Sequence, residues 1–492
     1  MFFNESALNH ISNIRNKAYI ECYSHLSGSP YVSYVVQNYS HHRGSMLFAE
    51  GYYIGPLKSF NSYSSRLISS ILLLCNLMFC GIVTAEGQEV NPSEWNFESQ
   101  RKEIAPKWYV DSSTTYNGQP TLAIEGAGKE YANGHWYRTM NVEPGEYFQF
   151  QSNFIASNVD EPSRDILARI IWQDVSGKTI GYPEYPATLP NTSREGWNYI
   201  EQLYRVPDSV RKAKIELVYR WDANGVVHFG GTSFQKASPP RPRVVRVATI
   251  HHRPKNSKSS HENLLQFSEL IAKAADQKAD IVCLPEEMTL VGTNQDYISA
   301  SEPIPGPTTN FLGSIARKYS LYIVAGILER NGDTVFNTAV LIDRSGNVAG
   351  KYRKVSLPQE EIDGGITPGD SFSVFNTDFG RIGLMICWDV TFPEPARTLA
   401  QKGAEIIFLP IWGGDVRLTE ARAIENQVYL VSSTYDMISA VFDQEGEVMK
   451  EATKDNPVVV VEIDLNKQKL WPWIGDLKSR IFREIPPKKT IH

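Results

Sequence analysis

The sequence predicts an α/β domain over its carboxyl-terminal half, preceded by an all-β domain. From Val244 onward, short apolar runs that read as buried strands alternate with amphipathic segments of helix length, the pattern of the α/β class. Several of these runs stop at reactive side chains, and catalytic groups in such sheets gather where strands end and turns begin. Between residues 90 and 237, short aromatic and β-branched runs are separated by Gly, Asn, Pro and Asp at spacings of roughly 8–12 residues, which predicts a β-sandwich.

A chain of 492 residues exceeds one ordinary domain and suggests two or three. With 42% hydrophobic and 21% charged residues it can bury a sizeable core. The net charge of −6 and the absence of a Lys/Arg block argue against a nucleic-acid partner.

The stretch Leu67 to Ala85 is apolar, follows Lys58 and Arg66, and ends in the small-residue pattern Val83-Thr84-Ala85. It reads as a cleaved secretory signal, which predicts a periplasmic or secreted protein. The rival reading is an uncleaved membrane anchor, since the run approaches the ~20 residues that span a bilayer. The signal lies well inside the chain, so Met46 is a candidate internal start, and residues 1–85 are expected to add nothing to the mature fold. Of the five cysteines, Cys22, Cys75 and Cys80 lie in or before this signal, which leaves Cys283 and Cys387. Cys283 sits within Ile281-Val282-Cys283-Leu284 and reads as core filling.

In the β-rich part, Tyr147 to Phe154, Ala168 to Trp172, Lys214 to Asp222 and Gly225 to Phe234 read as strands. The last two resemble the closing strands of a galactose-binding-like jelly roll. Such domains often bind glycans, so a glycan is an expected ligand, and Trp108, Trp136, Trp172, Trp197 and Trp221 are the available aromatics. Most of these tryptophans are expected in the core. Residues 238–243, Ser-Pro-Pro-Arg-Pro-Arg, read as a stiff linker to a domain spanning 244–492.

In that domain Val244 to Ile250 is a strand, and Ser260 to Ala279 an amphipathic helix capped by Ser259 or Ser260. The strand Asp280 to Pro285 delivers Glu286 at its end, with Glu287 expected to point elsewhere. A helix from Thr308 to Tyr319 precedes strands Leu321 to Leu328, Phe336 to Ile342 and Val348 to Tyr352, and Lys354 follows the last of these. The run Gly383 to Ile386 then stops at Cys387, and Pro393 opens the next helix. The strand Ile406 to Ile411 places Trp412 at its end, positioned to line a pocket. Glu420, Arg422 and Glu425-Asn426 read as a charged helix face or a subunit contact. Strands Val428 to Ser433, Ser439 to Phe442 and Val458 to Ile463 follow, and the aromatic tail from Trp471 is expected to pack on its own subunit or a partner.

A thiol needs a base to become a nucleophile, and an oxyanion formed at an acyl carbon needs a positive partner. Glu286 can serve as the base and Lys354 as the cation. Pro285-Glu286, Tyr352-Arg353-Lys354 and Cys387-Trp388-Asp389 with Phe392-Pro393-Glu394 resemble the three signatures of the nitrilase superfamily, the carbon–nitrogen hydrolases. The resemblance runs through most of residues 244–465 and includes Phe336-Asn337-Thr338-Ala339.

It implies an α-β-β-α sandwich and a catalytic set of Glu286, Lys354 and Cys387. It further implies a second glutamate, Glu361 or its neighbour Glu360, of which we take Glu361, and a Trp388 backbone N–H for the oxyanion. It also implies a homo-oligomer built on the face of the helix after the cysteine. Trp388 and Thr391 depart from the common family residues. The expected activity is hydrolysis of a small-molecule amide or N-carbamoyl substrate through a thioester. Nitrile hydrolysis and a catalytically silent glycan-binding protein are the alternatives. This chemistry requires no metal or organic cofactor, and no His/Cys cluster has zinc-ligand spacing.

Overall fold

The computed structural model describes residues 19–21, 35–37, 92–194, 196–467, 469–471, 475–481 and 483. The expected signal at 67–85 lies outside these residues, and no helix among the described residues is long and apolar enough to cross a membrane. The chain divides into two units, Met1–Glu86 and Gly87–His492. In the first, Tyr19–Glu21 pairs antiparallel with Val35–Gln37.

The second unit holds two regions with separate cores. The first is sheet-rich and entirely antiparallel. Its six-stranded sheet runs in the order Lys107–Tyr116, Gln119–Glu125, Val226–Ala237, Tyr147–Ser157, Trp197–Arg205, Ala187–Arg194. Its four-stranded sheet runs Asn96–Glu98, Asn133–Asn141, Lys212–Arg220, Ile166–Gln173. Phe150, Phe154 and Phe229 from one sheet meet Trp136, Ile170 and Leu217 from the other in a single core. Trp136 and Trp172 are buried, and each finds a partner for its indole N–H, Ala123 O at 3.2 Å and Glu184 Oε1 at 2.6 Å. Trp108 and Trp221 are exposed.

The α/β region contains two six-stranded sheets. In the first the order is Val348–Arg353, Thr334–Ile342, Tyr322–Asn331, Ile281–Cys283, Val244–Ile250, Val458–Asp464, and in the second Val374–Asn376, Arg381–Leu384, Ile406–Pro410, Tyr429–Ser433, Ser439–Phe442, Val448–Ala452. Each has three adjacent parallel strands and antiparallel flanks.

Strand alternation explains the layering. Val247, Ile281, Cys283 and Val324 face the second sheet and pack with Leu384, Ile406 and Phe408. Their neighbours Ala248, Val282 and Ile323 face the other way, against Leu264, Phe267 and Ile271 of the helix Ser260–Asp276 and Leu312 of the helix Pro307–Tyr319. The helices Pro393–Gln401 and Val416–Asn426 belong to the second sheet's half, giving helix, sheet, sheet, helix. Cys283 is fully buried between the sheets.

Element ends differ from expectation in physically understandable ways. The helix capped by Ser259, whose side chain accepts from Glu262 N, stops at Asp276 rather than Ala279, because Lys278 turns into the left-handed region at φ 62°. Arg422 and Asn426 are buried, not members of a charged face. The Arg422 guanidinium donates to Val390 O and Thr391 O at 3.1 and 3.3 Å, and so caps the turn that follows Cys387.

The tail packs on its own chain. Gln401 Nε2 donates to Ile481 O, and the buried Arg483 donates to Pro186 O at 2.8 Å, linking the two regions. A cleft of about 840 Å³ lies at the same junction, lined by Gln202, Arg243, Gln427 and Lys478 among others. Glu286, Lys354 and Cys387 are not in its lining.

Gly326 shows how the first sheet positions the site. Its N–H donates to Pro285 O and its carbonyl accepts from Met288 N, so this strand holds the Glu286 turn on both sides. A Cβ here would lie 2.6 Å from Glu286 Cα and 2.8 Å from Pro285 O. Gly326→Ala should therefore destabilise the protein by about 1–3 kcal/mol and displace Glu286. The measurement is the denaturation midpoint alongside turnover, and an unchanged midpoint would contradict the close approach.

Candidate active site

Strand direction gathers the site. The parallel strands ending at Cys283, Leu384, Pro410 and Ser433 run into Glu286, Cys387, Trp412 and Tyr435, and Lys354 follows the strand Val348–Arg353. In that last strand Tyr352 packs inward on the core, while Lys351 and Arg353 both bind buried Glu329 on the opposite face. Of the nearby basic residues, Lys354, past the strand end, is the one that enters the site.

Lys354 is 1% exposed. Its Nζ donates to Glu286 Oε1 at 2.9 Å and also to Glu361 Oε1. Burial lowers its pKa, but Glu286, Cys387 and Glu361 outweigh burial and raise it, so the ammonium is retained. Glu286 is likewise buried, and two further donors reach it: Asn337 Nδ2 at 2.8 Å to Oε1 and Trp412 N at 2.8 Å to Oε2. The Tyr435 hydroxyl donates to Glu286 O at 2.9 Å and fixes the backbone of the turn.

Cys387 opens a one-turn 3-10 helix, Cys387–Thr391, that intervenes before the helix opened by Pro393. It lies at φ 41°, a left-handed conformation that a non-glycine residue adopts at a cost of about 1–3 kcal/mol. Burial pushes the thiol well above its ordinary pKa, and the neighbouring Glu286 adds to this, against Lys354 and the Trp412 N–H. The resting side chain is a neutral thiol next to a carboxylate.

The six residues singled out from sequence fall as follows. Glu286, Lys354 and Glu361 meet in direct contact, with Cys387 beside Glu286 and Lys354. Trp412 joins through its backbone N–H, while its ring stacks edge-on against Tyr435 with centroids 5.1 Å apart. The Trp388 side chain is 42% exposed and meets Phe392 edge-on, so the ring faces outward. Glu287 departs from expectation. It sits at φ 48° on the same turn as Glu286 and is buried, its oxygen within 4.8 Å of those of Glu286 and Glu361. The left-handed residue folds the turn back on itself, so both glutamates enter the interior. Burial, together with Glu286 and Glu361, holds the Glu287 carboxyl well above its usual range.

Two further groups were in quoted stretches without a role. Asn337 is fully buried, and its Nδ2 reaches three carboxylates. Buried Asp389 accepts from Tyr352 Oη at 2.7 Å, Ile386 N at 2.9 Å and Ser356 N at 3.0 Å, which ties the loop beyond Lys354 to the Cys387 turn. A side-chain amide within a strand that is apolar apart from two threonines, as Asn337 is, was the available signal.

The α/β region that carries these strand-end groups is that of a hydrolytic enzyme, as comparison of its sequence with known proteins shows. The carbon-nitrogen hydrolase family model matches residues 246–472. Bovine omega-amidase NIT2 is 32% identical over 278 residues, covering 50% of this chain and 99% of that protein. A nitrilase of Pyrococcus abyssi is 36% identical over 242 residues, covering 45% and 90%. A solved carbon-nitrogen hydrolase of Helicobacter pylori aligns at 24% identity and a TM-score of 0.40, covering 45% of this chain and 90% of that one. The chain belongs to the carbon-nitrogen hydrolase family and is a carbon–nitrogen hydrolase.

Tyr352→Phe should remove one donor from buried Asp389 and cost about 1–3 kcal/mol. Because the bond joins the Lys354 loop to the Cys387 turn, lower thermal stability and lower reactivity of Cys387 toward iodoacetamide are expected together. Wild-type values for both would show that the link carries no weight.

Proposed function

We propose that this chain is a cysteine-dependent amidase acting through a thioester. The observation that carries the reading is the buried Lys354 ammonium bridging Glu286 and Glu361 beside Cys387. A neutral thiol must lose its proton as it attacks, and Glu286 is its hydrogen-bond partner. Cys387 Sγ adds to the amide carbon while Glu286 takes the proton, and Lys354 with the Trp388 N–H holds the oxyanion. The C–N bond breaks as Glu286 returns the proton to the leaving amine. Water, deprotonated by the same carboxylate, then hydrolyses the thioester and frees the thiol. Glu361 holds Lys354 in place throughout.

An omega-amidase and a nitrilase both stand among the relatives, and amide cleavage is the reading favoured here because an amide reaches the thioester by one addition and one elimination, whereas a nitrile must also take up a water on the way. Incubation with a panel of small amides and N-carbamoyl compounds, followed by mass spectrometry, should reveal an acyl adduct on Cys387 whose mass names the acyl group. Cys387→Ala should lose turnover by several orders of magnitude while keeping its fold. Retained amidase activity in that variant would sink the assignment.

We also propose that the chain is exported and that its β-rich region is a galactose-binding-like jelly roll with a glycan ligand. The signal-like stretch at 67–85 supports export, and half-exposed Trp108, stacked on Phe97 with centroids 5.2 Å apart, is a fitting sugar platform. A mature amino terminus at Glu86 and glycan retention lost in Trp108→Ala are expected. Recovery of the uncleaved chain from the cytoplasm would refute the first, and undiminished retention the second.

A further inference from the structure

Three buried carboxylates crowd the site around one ammonium. Oxygens of Glu286, Glu287 and Glu361 lie within 4.8 Å of one another. Lys354 contacts Glu286 and Glu361, and among the described residues no cation contacts Glu287. Like charges this close in a buried site repel strongly, and something must compensate beyond one lysine.

The side-chain amide of Asn337 faces all three. Its Nδ2 lies 2.8 Å from Glu286 Oε1, 3.3 Å from Glu361 Oε1 and 3.4 Å from Glu287 Oε1. The same residue accepts from Lys354 N at 2.9 Å through its backbone carbonyl, so one residue fixes both the backbone of the lysine and the carboxyl groups. We propose that Asn337 is a positioning residue for the reaction: its amide is the neutral hub that holds three carboxyl groups around one ammonium and orients Glu286 as the base.

The physical basis is the preference of a donor for the ionised acceptor. A hydrogen bond to a carboxylate stabilises its charged form, and in a buried site that stabilisation is not replaced by water. Removing Nδ2 takes a hydrogen-bond donor from Glu286, Glu361 and Glu287 at once, so the ionised forms of the cluster lose support. Glu287 completes the arrangement, since as a neutral acid it adds no third negative charge. The other groups facing Glu286 are Glu361 on the helix Gln359–Asp363, Cys387 on its turn, and the phenols of Tyr297 and Tyr435, both raised above the ordinary range chiefly by burial and therefore neutral.

This role presupposes Glu286 as the base, so the experiment has one arm that needs that reading and one that does not. In the first, kcat/KM against pH is measured for the wild type, Asn337→Leu and Asn337→Asp. The acid limb should move up by about one pH unit in the leucine variant and further in the aspartate variant, which also adds a carboxylate. A purely structural asparagine would lower kcat/KM at every pH without moving the limb, and that result overturns the proposal.

The second arm is thermal stability across the same pH range. If Asn337 favours ionised carboxylates, the folded variants bind protons more tightly than the wild type does. Their stability deficit should then widen as pH rises above the ordinary carboxylate range and narrow below it. A deficit independent of pH overturns the hub even if the wild type turns over no amide, an outcome that would instead count against the proposed function.

Discussion

Burying one ammonium among several carboxylates is the constraint on which the rest of this molecule turns. An unpaired lysine at 1% exposure would give up its proton, and an unpaired carboxylate would take one. Lys354 keeps its charge because Glu286 and Glu361 are held at hydrogen-bond distance, and they are held there by backbone that cannot easily move. Strand Tyr322–Asn331 grips the Glu286 turn through Gly326, Tyr435 grips its carbonyl, and Asn337 and Trp412 direct its two oxygens.

The two layers of sheet make that rigidity affordable in conformational terms. Glu287 and Cys387 both occupy the left-handed region, which neither residue favours. Each lies three or four residues past a short strand paired on both sides within its sheet, and that ladder constrains how the chain leaves. The Asp389 carboxylate then accepts from donors on both halves, Tyr352 and Ser356 on one and Ile386 on the other, so that the lysine loop and the cysteine turn keep a fixed separation. Arg422, read from sequence as part of a charged helix face or a subunit contact, serves the same end by capping carbonyls of the 3-10 turn.

Much of this was legible beforehand for local reasons. Short apolar runs marked the strands, Ser259 marked a helix start, and a glutamate, a lysine and a cysteine at three strand ends made a candidate set only when taken together and in order. Position along a strand predicts which face a side chain takes, and it correctly separates Cys283, turned into the core, from Cys387. The same periodicity says nothing once the strand has ended. Glu287 was therefore assigned to the wrong side, because the direction taken past Glu286 depends on a left-handed residue that no alternation rule describes.

By itself, then, the sequence determined the order of the elements, the α/β class of the carboxyl-terminal half, the β-rich character of the region before it, and the residue types able to carry the chemistry, since these follow from periodicity and side-chain chemistry within short windows. The tertiary structure decided what depends on residues far apart in the chain: that Asn337 stands between three carboxylates, that Asp389 joins two loops, that the tail reaches back through Arg483 to Pro186, and that the Trp388 ring faces outward. Charge balance in a buried site is a sum over neighbours in space, and those neighbours exist only after the sheets have packed.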